Sequence, residues 1–253
     1  MNVIEVVNLR KRYGDHVAVA DVSFRVAEGE IFGIAGPNGA GKTTTVECLE
    51  GLRKPDAGTV QVLGLDPQRD RDRLRRLVGI QLQESQLQDR LRVGEALKLF
   101  SSFYPRPADW RQLMTDVGLA DKQNTAFAKL SGGQKQRLSI ALALVGNPRI
   151  AILDELTPGL DPQARRDTWS LIRAVRDRGV TVVLVTHFMD EAERLCDRLA
   201  VIDAGRVVAL DTPAALVAAA VVPDAARPTL EDAVLALTSH PSPLNDPAPK
   251  SES

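Results

Sequence analysis

Gly36-Pro37-Asn38-Gly39-Ala40-Gly41-Lys42-Thr43-Thr44 is the stretch whose reading decides the fold of this 253-residue chain. It follows the apolar run Ile31 to Ala35 and precedes a segment expected to be helical to about Leu52. Four residues separate Gly36 from Gly41-Lys42-Thr43, which gives the strand, loop and helix setting of a phosphate-binding loop. Gly36, Gly39 and Gly41 let the backbone turn with its amides facing inward, where they and the helix N-terminus can hold nucleotide phosphates. Lys42 can reach the terminal phosphates as a point charge, and the Thr43 hydroxyl is a hard oxygen ligand suited to Mg2+. An ordinary glycine-rich turn would leave the adjacent Lys and Thr unexplained.

The bulk properties set wide bounds around this loop. The length allows one large domain or two small ones, and 44% apolar residues suffice for a buried core. With 32 basic and 33 acidic side chains the net charge is -1, so no direct nucleic-acid partner is expected. Cys48 and Cys196 form no metal-ligand cluster with His16, His187 and His240, and a reduced cytoplasmic protein is the natural expectation. No apolar run approaches the length of about 18 residues that a membrane span needs, and the amino terminus lacks a signal-peptide apolar region. Association with a membrane would have to come through a partner or a surface helix.

Outward from the loop, strands are expected at Ile4 to Leu9, Val22 to Val26, Thr59 to Leu63 and Val78 to Leu82. The charged stretch Asp70 to Arg76 reads as a solvated helix, because Asp70 and Asp72 interrupt the arginines. Helices are expected at Val93 to Phe103 and Ala108 to Val117, parted by Pro105 and Pro107, which makes this middle portion a helical insertion. Gln134 to Val145 forms another, with Leu138, Leu142 and Val145 on one face. Pro162 opens a helix reaching about Arg178, with Asp161 as its cap and Trp169, Ile172 and Val175 facing a core. Val180 to Val185, Leu199 to Ile202 and Arg206 to Ala209 read as strands, Met189 to Cys196 and Ala214 to Val222 as helices. The alternation implies an α/β fold with a largely parallel central sheet. Ser239 to Ser253, rich in Pro, Ser and charge, is expected to be a flexible tail.

A second constellation is Ile150-Ala151-Ile152-Leu153-Asp154-Glu155, an apolar strand that ends in two carboxylates. Ligands of parallel sheets meet such strand ends. Asp154 is the expected Mg2+ organiser, and Glu155 is placed to polarise or deprotonate an attacking water. His187, at the end of another strand, can orient the terminal phosphate and that water. Together these pieces describe nucleotide hydrolysis.

Leu130-Ser131-Gly132-Gly133-Gln134-Lys135-Gln136-Arg137 resembles the signature of the ATP-binding-cassette ATPases. The other elements of that family follow in order over roughly Met1 to Leu210. Tyr13 matches the aromatic that stacks on adenine, Gly36 to Thr44 match Walker A, and Gln83 matches the lid glutamine that senses Mg2+ and the transmembrane partner. Ser131 to Gln134 match the signature loop, Ile150 to Glu155 match Walker B, Asp161 matches the interfacial aspartate and His187 the switch histidine. The resemblance implies a P-loop NTPase with an antiparallel β lobe and a helical subdomain, about residues 84–148, within a cassette over 1–237 and ahead of a tail at 238–253. It implies ATP and Mg2+ as substrate and cofactor, and head-to-tail pairing in which Ser131 and its neighbours act across a dimer interface, as a homodimer or with a related cassette.

One departure stands out. The family pattern Pro-Thr-Ser-Gly-Leu-Asp is here Leu156-Thr157-Pro158-Gly159-Leu160-Asp161, which puts the local loop geometry in question while keeping the acids. That loop, with Glu47-Cys48-Leu49-Glu50-Gly51-Leu52 and Gln83-Glu84-Ser85, resembles the exporter branch that serves a separate ABC-2-type transmembrane permease, including drug and antibiotic exporters. The expectation is an ATPase subunit on the cytoplasmic face of the membrane that powers export of drugs or other amphiphilic compounds. A soluble cassette ATPase acting on a ribosome, DNA or another assembly is the alternative. Many of those carry two cassettes or large insertions, and neither is apparent here.

Overall fold

The computed structural model describes residues 1–81, 87–220 and 228–238. The chain opens with a long hairpin, β1 (Asn2–Tyr13) and β2 (His16–Ala27), and then enters β3 (Ile31–Ala35). The phosphate loop leads into α1 (Lys42–Leu49), followed by β4 (Ala57–Val62), α2 (Arg71–Leu74) and β5 (Val78–Gln81). A helical stretch contains α3 (Val93–Ser101), α4 (Trp110–Asp116) and α5 (Gly132–Leu144). Then come β6 (Ile150–Asp154), α6 (Pro162–Asp177), β7 (Thr181–Val185), α7 (Met189–Leu195), β8 (Arg198–Asp203), β9 (Arg206–Asp211), α8 (Pro213–Ala219) and α9 (Leu230–Thr238).

Among the described residues the strands form one sheet in the order β4-β1-β2-β9-β8-β3-β7-β6-β5. Strands β8, β3, β7, β6 and β5 run parallel, whereas β4-β1-β2 and β8-β9 are antiparallel. Every residue of β3 and β7 is buried, which is why their sequences Ile-Phe-Gly-Ile-Ala and Thr-Val-Val-Leu-Val lack polar alternation: inner parallel strands are covered on both faces. One face packs on Trp169, Ile172 and Val175 of α6, Leu138 and Leu142 of α5, and α3. The other is closed by α1 and by the apolar sides of β1 and β2, with Phe24 stacked on Phe32 at 5.2 Å between ring centroids.

Several expectations are corrected. In place of the short strands expected at Ile4 to Leu9 and Val22 to Val26, the amino-terminal pieces are two twelve-residue strands joined by a tight turn, with Gly14 at φ 58° and Tyr13 opposite His16. The antiparallel lobe joins the central sheet through the parallel pairing of Asp21 with Arg206. Helix α1 stops at Leu49, and Gly51 at φ 72° turns the chain away before Leu52. The solvated helix after Asp70 is a single turn. Helix α9 was not anticipated; its Leu230, Ala233 and Val234 are buried. Leu82, Gln83, and the tail from Ser239 lie outside the described residues. No helix among those described is long and apolar enough to cross a membrane.

Gly79 of β5 lets α5 seat directly on the sheet edge, since a Cβ there would stand 1.9 Å from the Ala143 carbonyl oxygen. The obstacle is backbone and cannot swing aside. Gly79→Ala is expected to lower unfolding stability by about 1–3 kcal/mol, the usual range for overpacking, read from the chemical denaturation midpoint.

Candidate functional site

The phosphate loop begins where β3 leaves the sheet. Gly36 sits at φ 144°, and a Cβ there would lie 1.9 Å from the Ile202 carbonyl oxygen, so the loop threads a gap closed to any side chain. Gly41 precedes the first turn of α1 and is also hemmed in, with Ala18 O 2.3 Å from its notional Cβ. Lys42 then turns inward. It is buried, and its Nζ donates to Gly36 O at 2.8 Å and to Pro37 O at 2.9 Å. Thr43 is exposed in the same first turn.

Asp154 closes β6, opposite Val185 of β7. Its N–H donates to Oε1 of Gln81 at 3.1 Å, a buried glutamine side chain from β5. Glu155 follows at φ 48°, a left-handed conformation unusual for a residue with a side chain, while its own N–H still donates to Val185 O at 2.9 Å. That kink is held by continued pairing with β7 and aims the carboxylate along the strand ends. Oε1 of Glu155 lies 3.0 Å from Nδ1 of His187, two residues beyond β7.

These groups share one cleft of about 480 Å³, lined by Tyr13, His16, Ala18, Asn38, Gly39, Gly41, Lys42, Thr43, Thr44, Asp154, Glu155, Val185 and His187. Two other clefts are of similar volume, 510 and 470 Å³. Size therefore does not single it out; the convergence of a buried cation, paired carboxylates and open backbone does. Tyr13 is 41% exposed, with Lys11 Nζ 5.5 Å and Arg53 5.8 Å from the centre of its ring.

The electrostatics favour a cation. Burial, and then the charge of Glu155, push the Asp154 carboxyl up to about 6, against the pull of Lys42 and His187. Burial lowers Lys42, opposed by Glu155 and Asp154. Two adjacent acids with one buried ammonium leave a site that Mg2+ complements, and the hydroxyl of Thr43 with the carboxylate of Asp154 is the hard-oxygen set such an ion takes. The residues present fit the group.

Ser131 to Gln134 and Asp161 stand apart from this lining. Ser131 caps α5, with Gln134 N–H donating to Ser131 Oγ at 3.3 Å and Ser131 N–H to Gln134 Oε1 at 2.9 Å. A Cβ on Gly133 would lie 2.8 Å from Ala164 Cβ, whereas Gly132 has room. Close packing of α5 on α6 thus accounts for one signature glycine. Asp161 caps α6 through Gln163 and Ala164 N–H, each at 2.9 Å. Gln83 lies outside the described residues. Sequence reasoning missed Gln81 and His16. The first shows itself as a lone amide ending an apolar strand, and the second faces Tyr13 across the hairpin turn.

A phosphate loop rising from an inner parallel strand into a helix, with an acidic pair on a nearby strand end, defines an α/β P-loop NTPase. The ABC transporter family matches residues 19–158. The Nod factor export ATP-binding protein I of Burkholderia orbicola (strain AU 1054) is 45% identical over 216 residues, 83% of this chain and 71% of that protein. Its namesake in Rhizobium etli (strain ATCC 51251 / DSM 11541 / JCM 21823 / NBRC 15573 / CFN 42) is 40% identical over 218 residues, 84% of this chain and 69% of that protein. Among solved structures, cbiO1 from Clostridium perfringens, part of the ABC transporter complex cbiONQ, superposes with a TM-score of 0.79 at 27% identity, over 86% of this chain and 91% of that one. An ATP-binding subunit of an ABC transporter gives 0.76 at 29%, over 85% and 91%. The chain belongs to the ABC transporter family. It is an ATP-binding-cassette ATPase that converts ATP and water to ADP and phosphate with Mg2+.

Glu50, at the end of α1, adds a third carboxyl to this region. Burial, then the charges of Asp154 and Glu47, push it from the ordinary 4.5 up to about 7, and its Oε1 is buried without a hydrogen-bond partner. The native state therefore holds this proton more tightly than the unfolded chain, and Glu50's contribution to stability is lost as pH rises through that window. Glu50→Gln should gain stability relative to the parent between about pH 5 and about pH 8. Denaturation curves at both values check this; an equal difference at the two would contradict it.

Proposed function

We propose that this chain powers export by a separate ABC-2-type transmembrane permease, which it serves from the cytoplasmic face of the membrane as one half of a head-to-tail dimer. The observation that carries the catalytic part is the cleft in which Lys42, Asp154, Glu155 and His187 converge while Ser131 lies outside it. Export is supported by the relatives, whose names state export of Nod factor. For this chain the cargo class is drugs or other amphiphilic compounds, on the resemblance of Glu47 to Leu52 and of the loop Leu156 to Asp161 to the exporter branch. The cassette spans 1–237 with a helical subdomain at about 84–148, and 238–253 is a tail.

In this reading the backbone from Gly36 to Thr44, including Pro37, Asn38, Gly39, Ala40 and Gly41, cradles the phosphates, and Tyr13 stacks on adenine. Lys42 exchanges its two carbonyl acceptors for phosphate oxygens. Thr43, Asp154 and Gln83 hold Mg2+, which when bound neutralises charge on the terminal phosphates. Glu155 accepts the proton of the attacking water. His187, with Nδ1 protonated, donates to Glu155 Oε1 across 3.0 Å and fixes the orientation of that carboxylate. Ser131, Gly132, Gly133 and Gln134 complete the partner cassette's site, with Asp161 at the interface.

Glu155→Gln should keep Mg-ATP binding and slow single-turnover hydrolysis by about a hundredfold or more, the usual reach of general-base catalysis, with a closed ATP-bound dimer accumulating. Lys42→Ala should instead lose binding itself. The dimer is tested by mixing Ser131→Arg with Lys42→Ala subunits. Both lesions then fall in one composite site, so verified heterodimers should recover hydrolysis that neither homodimer shows. The absence of recovery would make Ser131 a local residue. Purification from the native membrane should bring down a permease with ATP-dependent transport, while recovery with ribosomes or DNA would overturn the export reading.

A further inference from the structure

Glu191, in α7, is fully buried, yet the hydrolytic chemistry above leaves it unused. A carboxyl at such a position needs partners. Its Oε1 accepts from Trp169 Nε1 of α6 at 3.4 Å. The same carboxyl lies against the hydroxyls of Thr186, which follows β7, and of Thr157, in the loop that follows β6. Thr157 and Thr186 are themselves 0% exposed. Thr157 stands two residues after Glu155, and Thr186 immediately precedes His187. One buried carboxyl thus meets both backbone segments that carry the Glu155–His187 contact.

The cluster is incompletely bonded. Thr157 Oγ1 and Glu191 Oε2 are each buried without a hydrogen-bond partner of normal geometry, although the two side chains are neighbours. Thr186 Oγ1 accepts from Phe188 N–H at 3.0 Å, so this hydroxyl also shapes the backbone just past His187. Burial raises the Glu191 carboxyl, opposed by the neighbouring Thr186, Trp169 and Thr157 side chains. A second tie runs alongside: Arg165 of α6 pairs with Asp190 of α7 at 3.0 Å and lies 5.8 Å from the centre of the Phe188 ring. The two ties join α6, whose first turn is capped by Asp161, to the segment that carries His187.

We propose that Glu191 is a positioning residue that clamps the loop 155–161 to Thr186 and His187, so that the Glu155–His187 geometry and the placement of Asp161 are set together. The proposal rests on the reading of Glu155 and His187 as the hydrolytic pair. Two buried polar atoms left unmatched side by side favour any loop position that joins them. The Thr157–Glu191 hydrogen bond is therefore the contact that draws the loop home when the site closes. Glu191 touches neither phosphate nor metal in this scheme; it acts through the backbone of its neighbours.

Thr157→Val removes one hydroxyl at nearly constant shape, Glu191→Gln keeps hydrogen-bonding capacity, and Glu191→Leu abolishes it. Steady-state hydrolysis by the full chain, normalised to folded protein, should show kcat lowered about tenfold to a hundredfold in Thr157→Val and Glu191→Leu, the scale of a small misplacement of reacting groups. KM for ATP should change by less than about twofold, because the phosphate cradle is untouched. Glu191→Gln should restore most of kcat. The Thr157→Val/Glu191→Leu pair should lose no more than its worse member, as residues of one contact do. Wild-type kcat in folded Thr157→Val, multiplying losses in the pair, or Glu191→Gln as impaired as Glu191→Leu would each overturn the clamp. Thr157→Val decides the matter should Glu191→Leu fail to fold. Glu155→Gln and His187→Ala in the same assay judge the underlying reading separately. If both turn over normally that reading fails, and if both are impaired while Thr157→Val is normal only the clamp fails.

Discussion

The pairing of β6 with β7 is the constraint on which the site depends. It runs in register from Ile150 opposite Thr181 to Asp154 opposite Val185, and the Glu155 N–H carries it one residue further to Val185 O. Because β7 also pairs with β3 from Ile31 to Ile34, the phosphate loop, the acidic pair and His187 leave the sheet at one edge. A shift of a single residue in this register would turn every side chain to the opposite face. With both faces apolar, it is the close packing of particular side-chain shapes in the buried core that resists such a slip. The chemistry is thus placed by apolar packing far from the carboxylates themselves.

That placement gathers groups that disfavour one another without a ligand. Asp154, Glu155 and Glu50 bring three carboxyls into a partly desolvated region in which Lys42 is the buried ammonium. Lys42 is meanwhile satisfied by loop carbonyls, and His187 by Glu155. The Lys42 contacts are a resting arrangement that phosphate oxygens can replace, whereas the His187 contact holds the Glu155 carboxylate in place. The left-handed backbone at Glu155 belongs to the same economy, since strain of this kind persists only where surrounding structure holds it. Nucleotide and metal binding therefore relieve an electrostatic tension already built into the fold.

Much of this was legible in the sequence, for identifiable reasons. The continuous apolar runs of β3, β6 and β7, and the residues that end them, have no other economical reading. The cap at Asp161 and the stripe Trp169, Ile172, Val175 follow from helical spacing and capping chemistry. What escaped was set by long-range contact. The twelve-residue length of β1 and β2 is decided by pairing across the hairpin and with β4, and half-exposed stretches such as Lys11 to Tyr13 carry no apolar alternation to announce it. Gln81 as the acceptor for Asp154 N–H, and Glu191 between two loops, depend on which strands become neighbours, and a lone amide at a strand end does not name its partner.

The signature segment shows how one set of residues can serve two structures. Within the chain, Ser131 and Gln134 cap each other's backbone and Gly133 admits α6, so the segment has a complete local rationale. The reciprocal cap consumes the N–H of Gln134 but leaves Gly132 and Gly133 at the head of a 13-residue helix, where the helix dipole favours an anion. The capping box holds that end rigid, so its amides need no reordering to meet a phosphate. Ser131 is exposed and lies outside the lining of its own cleft, so in the proposed head-to-tail dimer this end would meet a phosphate held by the partner cassette. Local folding requirements and the proposed shared nucleotide site would thus act on the same four residues without conflict.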